Sequence, residues 1–134
     1  NYIKLFENLN LKFKCKFFLA GGLDDKNLIK NVMNSSIGKN CISFDAMTIA
    51  ETMPIIATCK YCISNDTGFA HISAGLGLKS LMLFIDSPPT AYGLYSKNIS
   101  ILVPEGKTIQ TTTHDTLGTI SVDKVLKKTL ELMN

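Results

Sequence analysis

No stretch of this sequence approaches the roughly 20 consecutive apolar residues that a helix needs to cross a bilayer. A secretory leader would put a basic segment ahead of a short apolar core, and the amino terminus has neither. The chain opens on Asn1 rather than Met, so it is expected to have been cut from something longer. Charge of one sign is also in short supply. Fourteen Lys and Arg against 11 Asp and Glu leave a net charge of +3, too mild to signal a nucleic-acid partner. The lysines are scattered; only Lys12, Lys14 and Lys16 alternate, and they are expected on a solvated strand edge.

Cysteine is sparse. Cys15, Cys41, Cys59 and Cys62 are the full set, and Cys59-Lys60-Tyr61-Cys62 has the spacing of half a zinc site. Zinc would need a second pair, or histidines at comparable spacing, and the sequence has neither. Buried, reduced thiols are the expectation, which fits a cytoplasmic protein. No carboxylate pair stands where it would hold a metal, so neither metal nor cofactor is expected. Gly21-Gly22 is not a G-x-G-x-x-G dinucleotide fingerprint, and no internal repeat is seen.

What is present is alternation. With 134 residues, 46% of them hydrophobic and 19% charged, the chain has the size and composition of one compact, ordered domain. Strand-like apolar runs fall at Lys16–Ala20, Cys41–Phe44, Tyr61–Ser64, Ser80–Ile85 and Ile99–Val103. Helical patterns lie between them. Asp24–Asn34 would put Leu28, Ile29, Val32 and Met33 on one face. Thr48-Ile49-Ala50-Glu51 reads as a capping box opening a helix to about Cys59, with a kink or break expected at Pro54. Thr67–Leu76 is a small-residue helix, and a last helix starts near Ser121 with Val122, Val125, Leu126, Leu130 and Met133 at helical spacing. Lys107–Gly118 has no period and is expected to be an exposed loop. Strands apolar on both faces, alternating with helices, predict a Rossmann-like, doubly wound parallel sheet of about five strands.

Ligands of open parallel sheets bind beyond the carboxyl ends of the strands. Three loops leave such ends: Gly21–Asp25, Asn65–Gly68 and Asp86–Pro89. In the middle one, Asp66 or Thr67 caps the next helix and Gly68 lets a ligand approach its first turn. Exposed amides and the helix dipole there favour an anion such as a diphosphate. His71 follows Thr67 by one turn, so both can face one side, with an imidazole able to donate to phosphate or to a leaving oxygen. An ordinary cap with a histidine packed nearby accounts for the same spacing equally well.

The run Ala50-Glu51 through Ile63-Ser64-Asn65-Asp66-Thr67-Gly68-Phe69-Ala70-His71-Ile72-Ser73-Ala74-Gly75-Leu76 resembles the carboxyl-terminal domain of glycosyltransferase family nine. These are the ADP-heptose:lipopolysaccharide heptosyltransferases. Their pattern is an apolar strand, Asp-(Ser/Thr)-Gly, two residues, His, then small residues. Phe17–Gly22, the strand Ser80–Ile85 and the final Ser-Val-Asp-x-Val-Leu helix follow the same order, so the likeness covers about Lys16–Met133. The resemblance implies a GT-B enzyme, with two Rossmann-like domains across a cleft and the nucleotide sugar held by the carboxyl-terminal one. It implies that Asp66, Thr67, Gly68 and His71 contact the diphosphate and sugar. Met47 and Thr48 would lie against the adenine, and Gly22 with Asp24 or Asp25 would approach the ribose. The chain departs from the pattern at Lys79, where a Pro is usual, at Ile85-Asp86, where Gly-Pro is usual, and at Pro54. Ile85-Asp86 borders the donor cleft and leaves the donor sugar open. The family's base, an Asp, and its cleft Lys belong to segments outside this chain. The resemblance therefore implies a donor-binding half, inactive alone, with a glycan or lipid-linked acceptor engaged through an amino-terminal domain. The intact enzyme would be cytoplasmic and peripheral to the inner membrane. A non-catalytic nucleotide-binding or assembly module, and a GT-B enzyme using another nucleotide sugar, stand as alternatives.

Overall fold

The structure, a computed structural model, describes residues 1–134. The single domain expected from the length divides into two compact units, 1–54 and 55–134. The physical reason is in the hydrogen bonding: the five strands form two separate parallel ladders, one of two strands and one of three.

The first unit opens with a helix that the sequence reading missed, α1 (Tyr2–Phe13). Its signal was present, since Leu5 and Leu9 stand one turn apart and both are buried. Lys12, Lys14 and Lys16 are therefore not on a strand edge. Lys12 lies in the last turn of α1, and Lys14 caps it in the left-handed region, φ 49° and ψ 54°. Strand β1 (Phe17–Leu19) pairs in parallel with β2 (Cys41–Ser43), Leu19 opposite Ser43. Between them a short 3-10 turn, Leu23–Asp25, leads into α2 (Lys26–Met33). Only part of the α2 face expected to be apolar is covered. Val32 is buried and Ile29 packs on the cluster of Leu19, Val32, Ile37 and Cys41, whereas Leu28 is 64% exposed. At about 100° per residue Leu28 and Met33 fall at the two edges of that face, and Ile29 and Val32 between them meet the cluster. Phe6 of α1 stacks on Phe17 of β1 at a centroid separation of 4.5 Å.

Helix α3 (Ile49–Ile56) opens on the expected capping box. The Thr48 backbone N–H donates to Glu51 Oε2 at 2.8 Å, and the Glu51 N–H donates to Thr48 Oγ1 at 3.3 Å. Pro54 does not break the helix where a break was expected; α3 passes through it and stops two residues later, at Ile56. Proline removes one hydrogen bond near the end of a short helix, where few remain to lose.

In the second unit β3 (Tyr61–Asn65), β4 (Lys79–Leu83) and β5 (Ile99–Leu102) form the sheet, in that order and all parallel. Asn65 stands opposite Leu83, and Leu83 opposite Leu102, so the three strands finish level. Helix α4 (Gly68–Gly75) packs its small residues Ala70 and Ala74 on Met82 and Phe84, with Ile99, Ile101 and Val103 beside them. Small side chains let the helix approach the sheet closely. Leu81 and Met82 point to opposite faces of β4 and are both fully buried, so both faces of the central strand are covered, as its apolar run predicted. Helix α5 (Pro89–Tyr92) is a single turn after β4. Helix α6 (Val122–Met133) is capped by Ser121, whose Oγ accepts from the Lys124 N–H, and lies against β4 and β5.

The Thr-rich stretch has no regular structure, yet it is not simply exposed: Thr112 is 1% and Thr116 7% accessible. Their hydroxyls bond the local backbone, Thr112 Oγ1 to Thr108 O and Thr113 N to Thr116 Oγ1, so burial leaves no polar group stranded.

Candidate functional site

Because β3, β4 and β5 end level, the segments leaving them emerge at one end of the second unit's sheet. Asn65 closes β3, and Asp66 and Thr67 carry the chain into α4. Thr67 is the N-cap in extended geometry, φ −143° and ψ 164°, yet no side chain caps the helix. Its Oγ1 instead lies 3.1 Å from Ser64 Oγ on β3. The Ala70 N–H donates to Thr67 O at 3.0 Å, and the Gly68 and Phe69 amides before it are left to solvent or ligand. A Cβ built on Gly68 would meet nothing within 4 Å, so the space over this turn is open. Uncapped amides and the positive end of the helix dipole, behind open space, make an anion-accepting surface.

Asp66 and His71 are drawn together: His71 Nε2 lies 2.9 Å from Asp66 Oδ1, with the Asp66 side chain 15% and the His71 side chain 36% accessible. The other ring nitrogen, Nδ1, lies 2.6 Å from the Tyr95 hydroxyl. Local desolvation pushes the phenol of the otherwise exposed Tyr95 above its ordinary value, and the nearby Asp66 charge adds to that. The sequence reading missed Tyr95, and nothing local would have found it, since it is 24 residues from His71. Ser64 was missed as well; its signal was a hydroxyl three residues before the Thr at a strand end. In the loop after β4, Ser87 Oγ is buried without a hydrogen-bond partner, beside the atypical Ile85-Asp86.

The first unit has its own carboxyl-end loops. Phe44 N–H donates to Leu19 O at 2.9 Å, which keeps the ends of β1 and β2 side by side. Gly22 and Asp25 are brought together there, the Gly22 N–H donating to Asp25 Oδ2 at 2.9 Å. Met47 N–H donates to Phe44 O in the loop after β2, and the side chain is half-buried. Thr48 Oγ1 donates to Glu51 Oε2 at 2.7 Å. Asp25 and Thr48 therefore each already hold a structural bond. That bond lowers Glu51 below the usual carboxylate range, the Thr48 amide first and its hydroxyl second.

All four cysteines are free; Cys41 is buried and the other three are half-buried. Burial raises the Cys62 thiol, with a bond to Ser73 opposing, and burial raises Cys59 next to it. Neither is an activated thiolate. No helix is long and apolar enough to cross a membrane.

Comparison with known proteins bears on the family and the fold. The family model for glycosyltransferase family 9 (heptosyltransferase) matches residues 1–120. No curated protein matches. Among solved structures, ADP-heptose lps heptosyltransferase II from E. coli superposes with a TM-score of 0.78 at 21% identity, over 98% of this chain and 40% of that one. E. coli heptosyltransferase WaaC with ADP gives 0.75 at 18% identity, over 97% and 38%. The same enzyme with ADP-2-deoxy-2-fluoro heptose gives 0.72 at 18%, over 99% and 37%. The chain thus spans about two fifths of the length of the structures it resembles. By the family match over most of its length, the chain belongs to glycosyltransferase family 9, the heptosyltransferase family.

Proposed function

We propose that this chain is the donor-binding, carboxyl-terminal domain of a heptosyltransferase-like enzyme, and that the first turn of α4 holds the diphosphate of a nucleotide sugar, ADP-heptose. The observation that carries this is the uncapped turn under Gly68, with Asp66 and His71 paired beside it. Support comes from solved relatives described with ADP and with an ADP-heptose analogue. In the intact enzyme an acceptor hydroxyl would displace the nucleoside diphosphate from the anomeric carbon, with the base supplied by an amino-terminal domain. The α4 amides and the Thr67 hydroxyl would stabilise charge on the departing diphosphate, where fixed dipoles need no rearrangement. Nucleoside contacts at Gly22, Asp25, Met47 and Thr48 are a further part of the proposal and rest on the resemblance. The acceptor is a glycan or lipid-linked sugar, and the enzyme works in the cytoplasm against the inner membrane.

The test is a titration with ADP followed by amide chemical shifts. Asp66, Thr67, Gly68 and His71 should shift together and saturate. Saturable shifts that leave these four unmoved would remove the diphosphate from α4.

A further inference from the structure

We propose that Tyr95 is a positioning residue for His71, clamping the imidazole from the side opposite Asp66 and holding it as the Nε2–H tautomer. A neutral imidazole offers one donor and one acceptor. Nε2 faces Asp66 Oδ1 at 2.9 Å, and an ionised carboxylate only accepts, so Nε2 carries the proton. Nδ1 is then a lone pair, and the Tyr95 hydroxyl at 2.6 Å is the donor that fills it. The raised phenol keeps that proton through neutral pH.

The phenol is brought there by backbone that is itself held. Tyr95 lies in the bend between α5 and β5. On one side of it the Gly93 N–H donates to Pro89 O at 2.8 Å. A Cβ at Gly93 would come within 2.8 Å of Ile101 Cδ1 and 3.0 Å of Phe84 Cζ, so the bend rests directly on the core. On the other side Asn98 Nδ2 donates to Ala74 O at 3.2 Å, tying the bend to the same helix that carries His71. An exposed tyrosine (59% accessible) is thereby kept in register with one nitrogen of one ring.

The significance for the donor site rests on the donor-binding reading; the geometry does not. Both ring nitrogens of His71 are occupied before an anion arrives. The ring donates to a diphosphate only after one nitrogen changes partner, so the α4 amides and Thr67 make first contact.

The experiment needs no nucleotide, so its failure is distinct from failure of the donor reading. The chain has two histidines, and His114→Gln leaves the His71 imidazole as a single ¹⁵N spin pair. Spectra are recorded on the alkaline plateau, where the ring nitrogen shifts no longer change with pH. Nε2 should be pyrrole-like, and Nδ1 pyridine-like but displaced by an accepted hydrogen bond. Adding Tyr95→Phe should return Nδ1 to the value of a free lone pair and introduce tautomer averaging, while the backbone amide spectrum of the rest of the unit stays put. A pyrrole-like Nδ1 before the tyrosine is changed, or ring signals unmoved by Tyr95→Phe, would overturn the assignment.

Discussion

Gly68→Ala separates a ligand-approach role for the first turn of α4 from a purely structural one. Gly68 opens α4, its φ is not positive, and an added Cβ meets nothing within 4 Å. Folding should therefore accept alanine. Replacing glycine at a compatible helical site stabilises by roughly 0.4–1 kcal/mol, chiefly by restricting the unfolded chain. A bound diphosphate would have to retreat from the new methyl and would lose contact with a first-turn amide. A hydrogen bond to a charged group contributes about 1.5–3 kcal/mol, so the ADP Kd should rise on the order of 10- to 100-fold. Gly75→Ala is the matched control, at the far end of the same helix and also with nothing within 4 Å of its Cβ. It should share the gain in stability and leave ADP binding unchanged. Thermal unfolding and isothermal titration of both variants suffice. ADP binding at wild-type strength in Gly68→Ala would refute the cradle, and a fall in melting temperature would show the glycine to be structural after all.

Two other outcomes are expected. Gly93→Ala pushes a methyl against Ile101 Cδ1 and the Phe84 ring, with gaps of 2.8 to 3.1 Å; overpacking of this kind costs about 1–3 kcal/mol. The melting temperature should fall by roughly 3–10 °C, with the His71 Nδ1 signal moving as Tyr95 loosens; an unchanged melting curve would show that the bend does not rest on the core. The third outcome concerns pH. Glu51 has a folded-state pKa below its ordinary value because Thr48 donates to it. A depressed carboxyl stabilises above its unfolded pKa and loses that stabilisation as pH falls through the folded value. The melting-temperature gap between the natural protein and Glu51→Ala should therefore be widest near neutrality and narrow toward about pH 3; an equal gap at both would remove the charge from the cap.

Much of this protein was legible in the residues because its signals are local. The runs that became β3, β4 and β5 are apolar and bounded, and a strand buried on both faces has to be so. Thr48 and Glu51 bond across three residues, so the box could be read without a fold. The Asp66-Thr67-Gly68 turn and His71 lie within one helical turn and a half, and their spacing alone put them near one another. What spacing left undecided was whether Thr67 caps the helix or leaves its amides open. The structure settled that by turning its hydroxyl to Ser64.

The misreadings have physical causes as well. Alternating Lys12, Lys14 and Lys16 looked like a strand edge, because period two was weighed without the helical spacing of Leu5 and Leu9 just before it. The buried threonines near 112 looked exposed because a hydroxyl that bonds its own backbone can be buried without penalty, and composition does not show that bond.

The sequence by itself determined the alternation of strands and helices, the capping box and the site turn, since each depends on neighbours a few residues away. Only the tertiary structure decided that the strands divide into two ladders, and that Tyr95 reaches His71 across 24 residues. Such contacts depend on where the chain returns after a strand, a helix and a bend, and no local pattern encodes that distance.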